Sequence, residues 1–176
     1  RQNAVIKLQN AQKALENTMS KLQLDEIADW VKKQRDLYKE YYDELRKVKG
    51  VIAYYFRVKQ IAEKNSRLVD EYQKAWNLFA RDNRFSLEEL THMEKVYSAI
   101  LEESAANVDL LLLVVKSFTT QMSDAKRLEL IDRAAMQADA VYDDLVAFNR
   151  ENSLLSLARA RTLKEAETVR QLYGLE

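Results

Sequence analysis

The stretch RDNRFSLEELTHMEK, residues 81–95, lies between two segments whose apolar residues recur with the period of a helix. Asp82 and Asn83 are turn-forming residues, so the first five residues predict a loop. Ser86 and Glu89 then match the Ser-x-x-Glu capping box. In that motif the serine side chain accepts a hydrogen bond from the glutamate amide, and the carboxylate accepts one from the serine amide. The stretch therefore predicts a loop followed directly by a helix.

The same stretch holds the only histidine of the chain. Glu89 and His92 have the Glu-x-x-His spacing of carboxylate di-iron proteins, which need two such motifs and two further glutamates. Because the chain has one histidine, the second motif cannot exist, and we assign Glu89 to the helix cap. We therefore expect no metal site and no cofactor.

The composition predicts an all-α protein without catalytic activity. The 176 residues include two glycines, no proline and no cysteine, and helix-forming residues dominate. The lack of cysteine excludes disulfides, thiolate zinc sites and cysteine nucleophiles. A serine triad would depend on His92 alone, and two glycines cannot build a phosphate-binding loop. We expect no enzyme, no catalytic residues and no small-molecule substrate.

The helical period predicts one domain over residues 1–176. Gly50 marks the first interruption, Ser123 and Thr162 are predicted N-caps, and Gly174 is predicted to end the last helix. We expect an elongated antiparallel helical bundle with a long N-terminal helix and a short C-terminal helix. The five predicted helices cover about residues 3–47, 52–81, 87–120, 124–159 and 163–173.

The predicted N-terminal helix is longer than its neighbours. At 1.5 Å per residue it would extend roughly 65 Å, so its first part is expected to project from the bundle. Leu8, Leu15 and Leu22 repeat every seven residues and form a short heptad stripe. This apolar stripe needs a cover, and we expect a homodimer through the N-terminal helix.

The longest apolar run is LLLLVV, residues 110–115. A membrane-spanning helix needs roughly 18–20 apolar residues, three times as many. The run therefore predicts a buried turn of a helix and not a membrane anchor.

Charge is distributed unevenly, although the net charge is zero. Residues 1–85 carry 18 basic and 12 acidic side chains, and residues 86–176 carry 10 basic and 16 acidic ones. This pattern favours two helical hairpins that attract each other, and the alternative is a basic face for an acidic partner. On the fourth helix, Asp132, Asp139 and Asp143 share one face, which is expected to be solvated or paired with Lys126 and Arg133.

Aromatic residues cluster around the predicted first turn. Tyrosine is amphipathic and favoured at interfaces, and lysines and arginines lie near the cluster in the sequence. One interpretation is that this end of the hairpin packs on itself, and the other is a partner-binding site. The candidate partner-binding residues are Tyr38, Tyr41, Tyr42, Tyr54, Tyr55 and Phe56.

Three stretches resemble one protein family: LQNAQKALENTMSKLQLDEIADWVKKQRDLYKEYYDEL, YSAILEESAANVDLLLLVVKSFTTQMSDAKRLELID and VRQLYGLE. The sequence is similar to a conjugal transfer protein of Bacteroides-type conjugative transposons from about residue 8 to its end. The family in turn is similar to the helical minor pilus components of type IV secretion systems. The resemblance rests on the overall pattern and carries no catalytic motif.

The resemblance implies a structural role in the apparatus that moves DNA between cells. Such proteins are made with a signal peptide and act in the periplasm or cell envelope, so a signal peptide is expected to have been removed before Arg1. The implied partners are other proteins of the transfer apparatus, and nucleic acid is not expected to bind. The alternative is a cytosolic helical adaptor or DNA-handling accessory protein, which would carry a contiguous basic face.

Overall fold

The computed structural model describes residues 24–33, 52–116 and 122–175, which form helices and turns with no strand among them. The all-α class predicted from the sequence is therefore confirmed for this part of the chain. We number the helices in chain order, with α1 described over residues 24–33. The other four helices are α2 (Ile52–Phe79), α3 (Leu87–Lys116), α4 (Asp124–Ala158) and α5 (Leu163–Tyr173).

The observed helix ends differ little from the predicted ones. α2 ends at Phe79, two residues before the predicted end, because Ala80 and Arg81 lie in a turn. α4 ends one residue early, and α5 has the predicted bounds. The predicted break at Gly50, the end of α3 near residue 120 and most of the long N-terminal helix lie outside the described residues.

Side-chain caps fix where the helices begin, as the sequence predicts. The Ser86 amide donates to the Glu89 carboxylate at 2.8 Å, and the Glu89 amide donates to Ser86 Oγ at 3.2 Å. Ser123 Oγ accepts from the Lys126 amide at 3.3 Å at the start of α4. These bonds satisfy backbone amides that have no partner within the helix.

The two ends of α5 show one departure from prediction. Thr162 Oγ1 accepts from the Glu165 amide at 3.1 Å, but the Glu165 carboxylate accepts from the Arg161 amide at 2.7 Å. Thr162 and Glu165 have the spacing of a capping box, but only one of the two hydrogen bonds of that motif forms. Gly174 ends the helix with φ 61°, a left-handed conformation that glycine adopts without a side-chain clash.

The helices share one apolar core. α1 contributes Leu24, Ala28 and Val31, at most 1% exposed, which recur at the spacing of one helix face. Leu128 and Leu154 follow the apolar period of α4, but both are exposed. The largest fully buried side chains on the other helices are Leu68, Tyr72, Phe79, Met93, Tyr97, Leu101, Leu111, Ile131 and Leu145.

Cross-helix contacts give the directions of the helices. On α2 and α3, Tyr72 packs on Tyr97 with ring centroids 5.0 Å apart, and Asn65 Oδ1 accepts from Ser104 Oγ at 2.8 Å. The order of the contacts is reversed, so these two helices run in opposite directions. Tyr97 also donates to Asn149 Oδ1 of α4 at 2.6 Å.

Ion pairs connect the basic α2 to the acidic α4. The Arg57 guanidinium contacts Asp132, and the Lys64 ammonium contacts Asp139. The sequence predicted that these aspartates are either solvated or paired with Lys126 and Arg133. Both side chains are at least half exposed, and the cations that contact them come from α2. The two pairs agree with the interpretation that the basic and acidic halves of the chain attract each other.

Candidate interaction site

Glu89, one half of the Glu-x-x-His pattern, has a structural role. Its carboxylate accepts from Arg159 Nη1 at 2.9 Å and Nη2 at 2.5 Å, in addition to the Ser86 amide. The bonds from Arg159 hold the pKa of Glu89 at about 2. Glu89 thereby fastens the start of α3 to the end of α4. Within residues 24–33, 52–116 and 122–175, no group of three or more histidines and carboxylates could hold a metal ion.

Asp82 organises the turn between α2 and α3. Its side chain is fully buried. Oδ2 accepts from Ser156 Oγ at 2.6 Å and from the Tyr173 hydroxyl at 2.7 Å. Oδ1 accepts from the Arg84 amide at 3.0 Å and from its guanidinium at 3.1 Å. We call Asp82, Arg84, Ser156 and Tyr173 the Asp82 cluster, which joins the turn to the ends of α4 and α5.

The electrostatics of the Asp82 cluster favour the ionised carboxylate. Burial alone would raise the pKa of Asp82, but hydrogen bonds from Ser156, Tyr173 and Arg84 together hold it below its usual value. Burial and the bond to Asp82 raise the pKa of Tyr173. The carboxylate of Asp82 is therefore ionised and the hydroxyl of Tyr173 keeps its proton, as a hydrogen bond from Tyr173 to Asp82 requires.

A groove opens between α3 and α4 on the outer surface of the bundle. It encloses about 660 Å³ and begins at His92, one turn after the α3 cap. We call it the α3·α4 groove. Its floor is formed by Val96, Ala99, Ile100, Ala147 and Phe148, and its rims by His92, Lys95, Glu103, Asp144 and Glu151.

The rims of the α3·α4 groove are predominantly acidic. The α3 rim carries His92, Lys95 and Glu103, and the α4 rim carries Asp144 and Glu151, so three carboxylates stand against one lysine. None of the described residues forms an ion pair with these charged groups. An apolar floor between unpaired charged rims is suited to receive the apolar face of a helix.

The predicted aromatic partner site is only partly within the described residues. Tyr38, Tyr41 and Tyr42 lie outside them, as does the side chain of Tyr55. Tyr54 is half-buried and packs against the core, whereas Phe56 is 60% exposed. The structure therefore does not bring these residues together as one described surface.

The groove was not predicted from the sequence, because the apolar residues of its floor follow the same helical period as the core. Val96, Ile100 and Phe148 follow the helical apolar period, and the structure leaves Val96 and Phe148 only half-buried. A signal was present, since His92, Val96, Ala99 and Glu103 recur at spacings of four, three and four along one face of a helix. Asp82 was predicted only as a turn former, and its partners Ser156 and Tyr173 were not predicted.

Comparisons with known proteins identify no relative of this chain. No protein-family model matches the chain, and no curated protein or solved structure shows significant similarity to it. None of the helices over the described ranges has an apolar stretch long enough to traverse a lipid bilayer. The candidate site therefore rests on geometry and chemistry alone.

Proposed function

We propose that this protein is a non-catalytic structural component of a conjugative, type IV secretion-like DNA-transfer apparatus and acts through helix-face contacts. The observation that carries a binding role is the α3·α4 groove, which combines an apolar floor with charged rims that no described residue pairs with. The assignment to the transfer apparatus is supported by the three stretches that resemble conjugal transfer proteins. Its partners would then be other subunits of that apparatus and a second copy of the chain, paired through the N-terminal helix.

The hydrogen bonds that polar side chains form within the bundle support a structural role for the protein. Asp82, Glu89 and Tyr173 are committed to contacts that hold helix ends together. A carboxylate satisfied by several fixed donors is a poor general base, because those hydrogen bonds stabilise its charged form. These residues serve the rigidity of the bundle, and the groove remains for intermolecular contact.

The described charges give less support to the DNA-handling alternative. That function would need a contiguous basic face on the first two helices, but Lys32, Arg57 and Lys64 are each paired with an aspartate. Cations that are already paired release fewer counterions from a phosphate backbone, so they contribute less to nucleic-acid affinity.

The proposed architecture extends the described helices. We propose that α1 is part of a long N-terminal helix over about residues 3–47 and that the whole forms an elongated antiparallel bundle. A projecting helix would give an assembly component a reach beyond its own bundle. We place the protein in the periplasm or cell envelope, as the family resemblance implies.

Localisation of the full-length gene product tests this proposal. A donor cell is fractionated, and the mature N-terminus of the protein is sequenced from the fraction that contains it. We expect a cleaved protein in the envelope fraction that co-purifies with other products of the transfer operon. An uncleaved protein in the cytosol would overturn the proposal and favour the adaptor or DNA-handling alternative.

A further inference from the structure

The α3·α4 groove has the dimensions of a helix-binding site. Its α3 rim extends from His92 to Glu103, a length of about 16 Å at 1.5 Å per residue. The floor between the rims includes the small residues Ala99 and Ala147, which let another backbone approach closely. Such a groove accepts about three turns of an amphipathic helix, whose anchors recur at i, i+3, i+4 and i+7.

The charge of the groove indicates what kind of helix can bind in it. With Glu103, Asp144 and Glu151 against Lys95, the rims are net acidic, so a complementary helix is basic. A second α3·α4 groove would not suit this site, because two acidic rims repel each other. The occupant must instead combine an apolar stripe with an excess of lysine or arginine.

Residues 1–23 of this chain have both properties. Arg1, Lys7, Lys13 and Lys21 stand against Glu16 alone. The leucines of the predicted heptad stripe, Leu8 to Leu22, would extend over about 21 Å of helix, which is longer than the groove and enough to span it. The small residues Ala4, before Leu8, and Ala11, between Leu8 and Leu15, would permit close packing on the floor.

In the proposed homodimer this segment comes from the second copy. Lys32 contacts Asp70 at 2.9 Å and Gln73 at 3.1 Å, so α1 lies along α2. The residues of α3 that face α2, Tyr97 and Ser104, lie on a different side of the helix from those that line the groove. The groove therefore opens on a side of α3 that α2 does not cover.

We infer that residues 1–23 of one copy dock in the α3·α4 groove of a second copy. The groove would then be the site at which the N-terminal helix binds in the homodimer, so this contact rests on our proposed function. It is tested on the purified chain, so its failure is distinguishable from failure of the transfer-apparatus assignment. The leucine stripe covers the apolar floor, and the basic side chains face the acidic rims.

Cross-linking between differently tagged copies tests the contact directly. The chain has no cysteine, so single cysteines can be introduced without background. Copies with Leu15→Cys are mixed with copies carrying Ala99→Cys and treated with a short bis-maleimide. The matched control replaces Ala99→Cys by Asn77→Cys, an exposed position on α2. We expect at least fivefold more cross-linked heterodimer with Ala99→Cys than with Asn77→Cys.

Charge reversal at the rim gives a second readout. The Glu103→Lys/Asp144→Lys variant should weaken self-association about tenfold in sedimentation equilibrium, because basic rims repel the basic segment. The control Asp109→Lys/Glu167→Lys makes the same change in net charge at exposed positions outside the groove and should weaken it less than twofold. Equal effects of the two variants would overturn the inference. So would cross-links only between two Leu15→Cys copies, or a chain that is monomeric at all concentrations.

Discussion

The hydroxyl of Tyr173 donates a hydrogen bond to Oδ2 of Asp82 at 2.7 Å, across 91 positions of the chain. The ring of Tyr173 also packs on Phe79, with ring centroids 5.3 Å apart. One side chain near the C-terminus therefore contacts both the end of α2 and the turn that follows it. Because α5 is only 11 residues long, such contacts and not its intrinsic propensity keep it on the bundle.

Removing this hydroxyl should destabilise the protein. Tyr173→Phe keeps the ring and deletes one donor to a buried carboxylate, so we expect a loss of roughly 1.5–3 kcal/mol in the free energy of unfolding. The measurement is urea denaturation at neutral pH. Tyr142→Phe is the matched control, because Tyr142 is half-buried and its ring contact with Lys64 survives the change. The control should lose less than about 0.5 kcal/mol, and equal losses would contradict this role of the Asp82 contact.

Acid should weaken the fold through two carboxylates. The pKa of Glu89 falls from 4.5 to about 2 because Arg159 donates to it. The pKa of Asp82 is also lowered, because its hydrogen bonds outweigh the effect of burial. The folded state binds fewer protons than the unfolded state at these groups. Their contribution to the free energy of unfolding is therefore present when the pH is above the pKa values of the unfolded state. It is lost as the pH falls toward the pKa values of the folded state.

The test is the urea midpoint measured at a series of pH values from neutral down to about 2. The wild type should lose stability steeply below pH 4.5, the ordinary pKa of a glutamate. Glu89→Gln cannot ionise, so its stability should fall less steeply over the same range, although it is lower at neutral pH. Parallel curves for the two proteins would show that Glu89 does not contribute.

Glu94 should have the opposite pH dependence. It is 9% exposed on α3, and burial raises its pKa. The folded state therefore binds more protons at this group, so its contribution to stability falls as the pH rises above 4.5. Glu94→Gln should stabilise the protein on the order of 1 kcal/mol at neutral pH and lose this advantage in acid.

The control for Glu94 is Glu88→Gln, an exposed position on the same helix. It should change the free energy of unfolding by less than about 0.5 kcal/mol. If Glu94→Gln destabilises the protein at neutral pH, then the ionised carboxylate makes a contact that outweighs its burial. That outcome would assign Glu94 a structural role like that of Glu89.

Local rules predicted the helix boundaries because they act over a few residues. The Ser86–Glu89 cap, the Ser123 cap and the Gly174 stop each depend on residues within one turn. The core of α2 also followed from the helical period alone, since Tyr72 and Phe79 lie seven residues apart on one buried face.

Tertiary contacts were not predictable in the same way. Asp82 is a turn former by sequence, and nothing local brings Ser156 and Tyr173 to it. Likewise the period of α4 gives an apolar position at Leu128, whereas the neighbours of α4 determine which positions they cover. The α3·α4 groove exists because two helices pack side by side, and periodicity within one helix does not show it.

The run LLLLVV offers the sharpest test of the core, because neighbouring leucines have opposite environments. Leu111 is 0% exposed and Leu113 is 52% exposed. Leu111→Ala should cost roughly 2–5 kcal/mol in the free energy of unfolding, since it removes a buried side chain and leaves a cavity. Leu113→Ala, the same change two residues away, should cost less than about 1 kcal/mol, unless a partner covers that face. Urea denaturation at two protein concentrations separates these cases. A large loss for Leu113→Ala that grows with concentration would place this face in an interface between copies, and a small loss for Leu111→Ala would contradict the packing of α3 in the core.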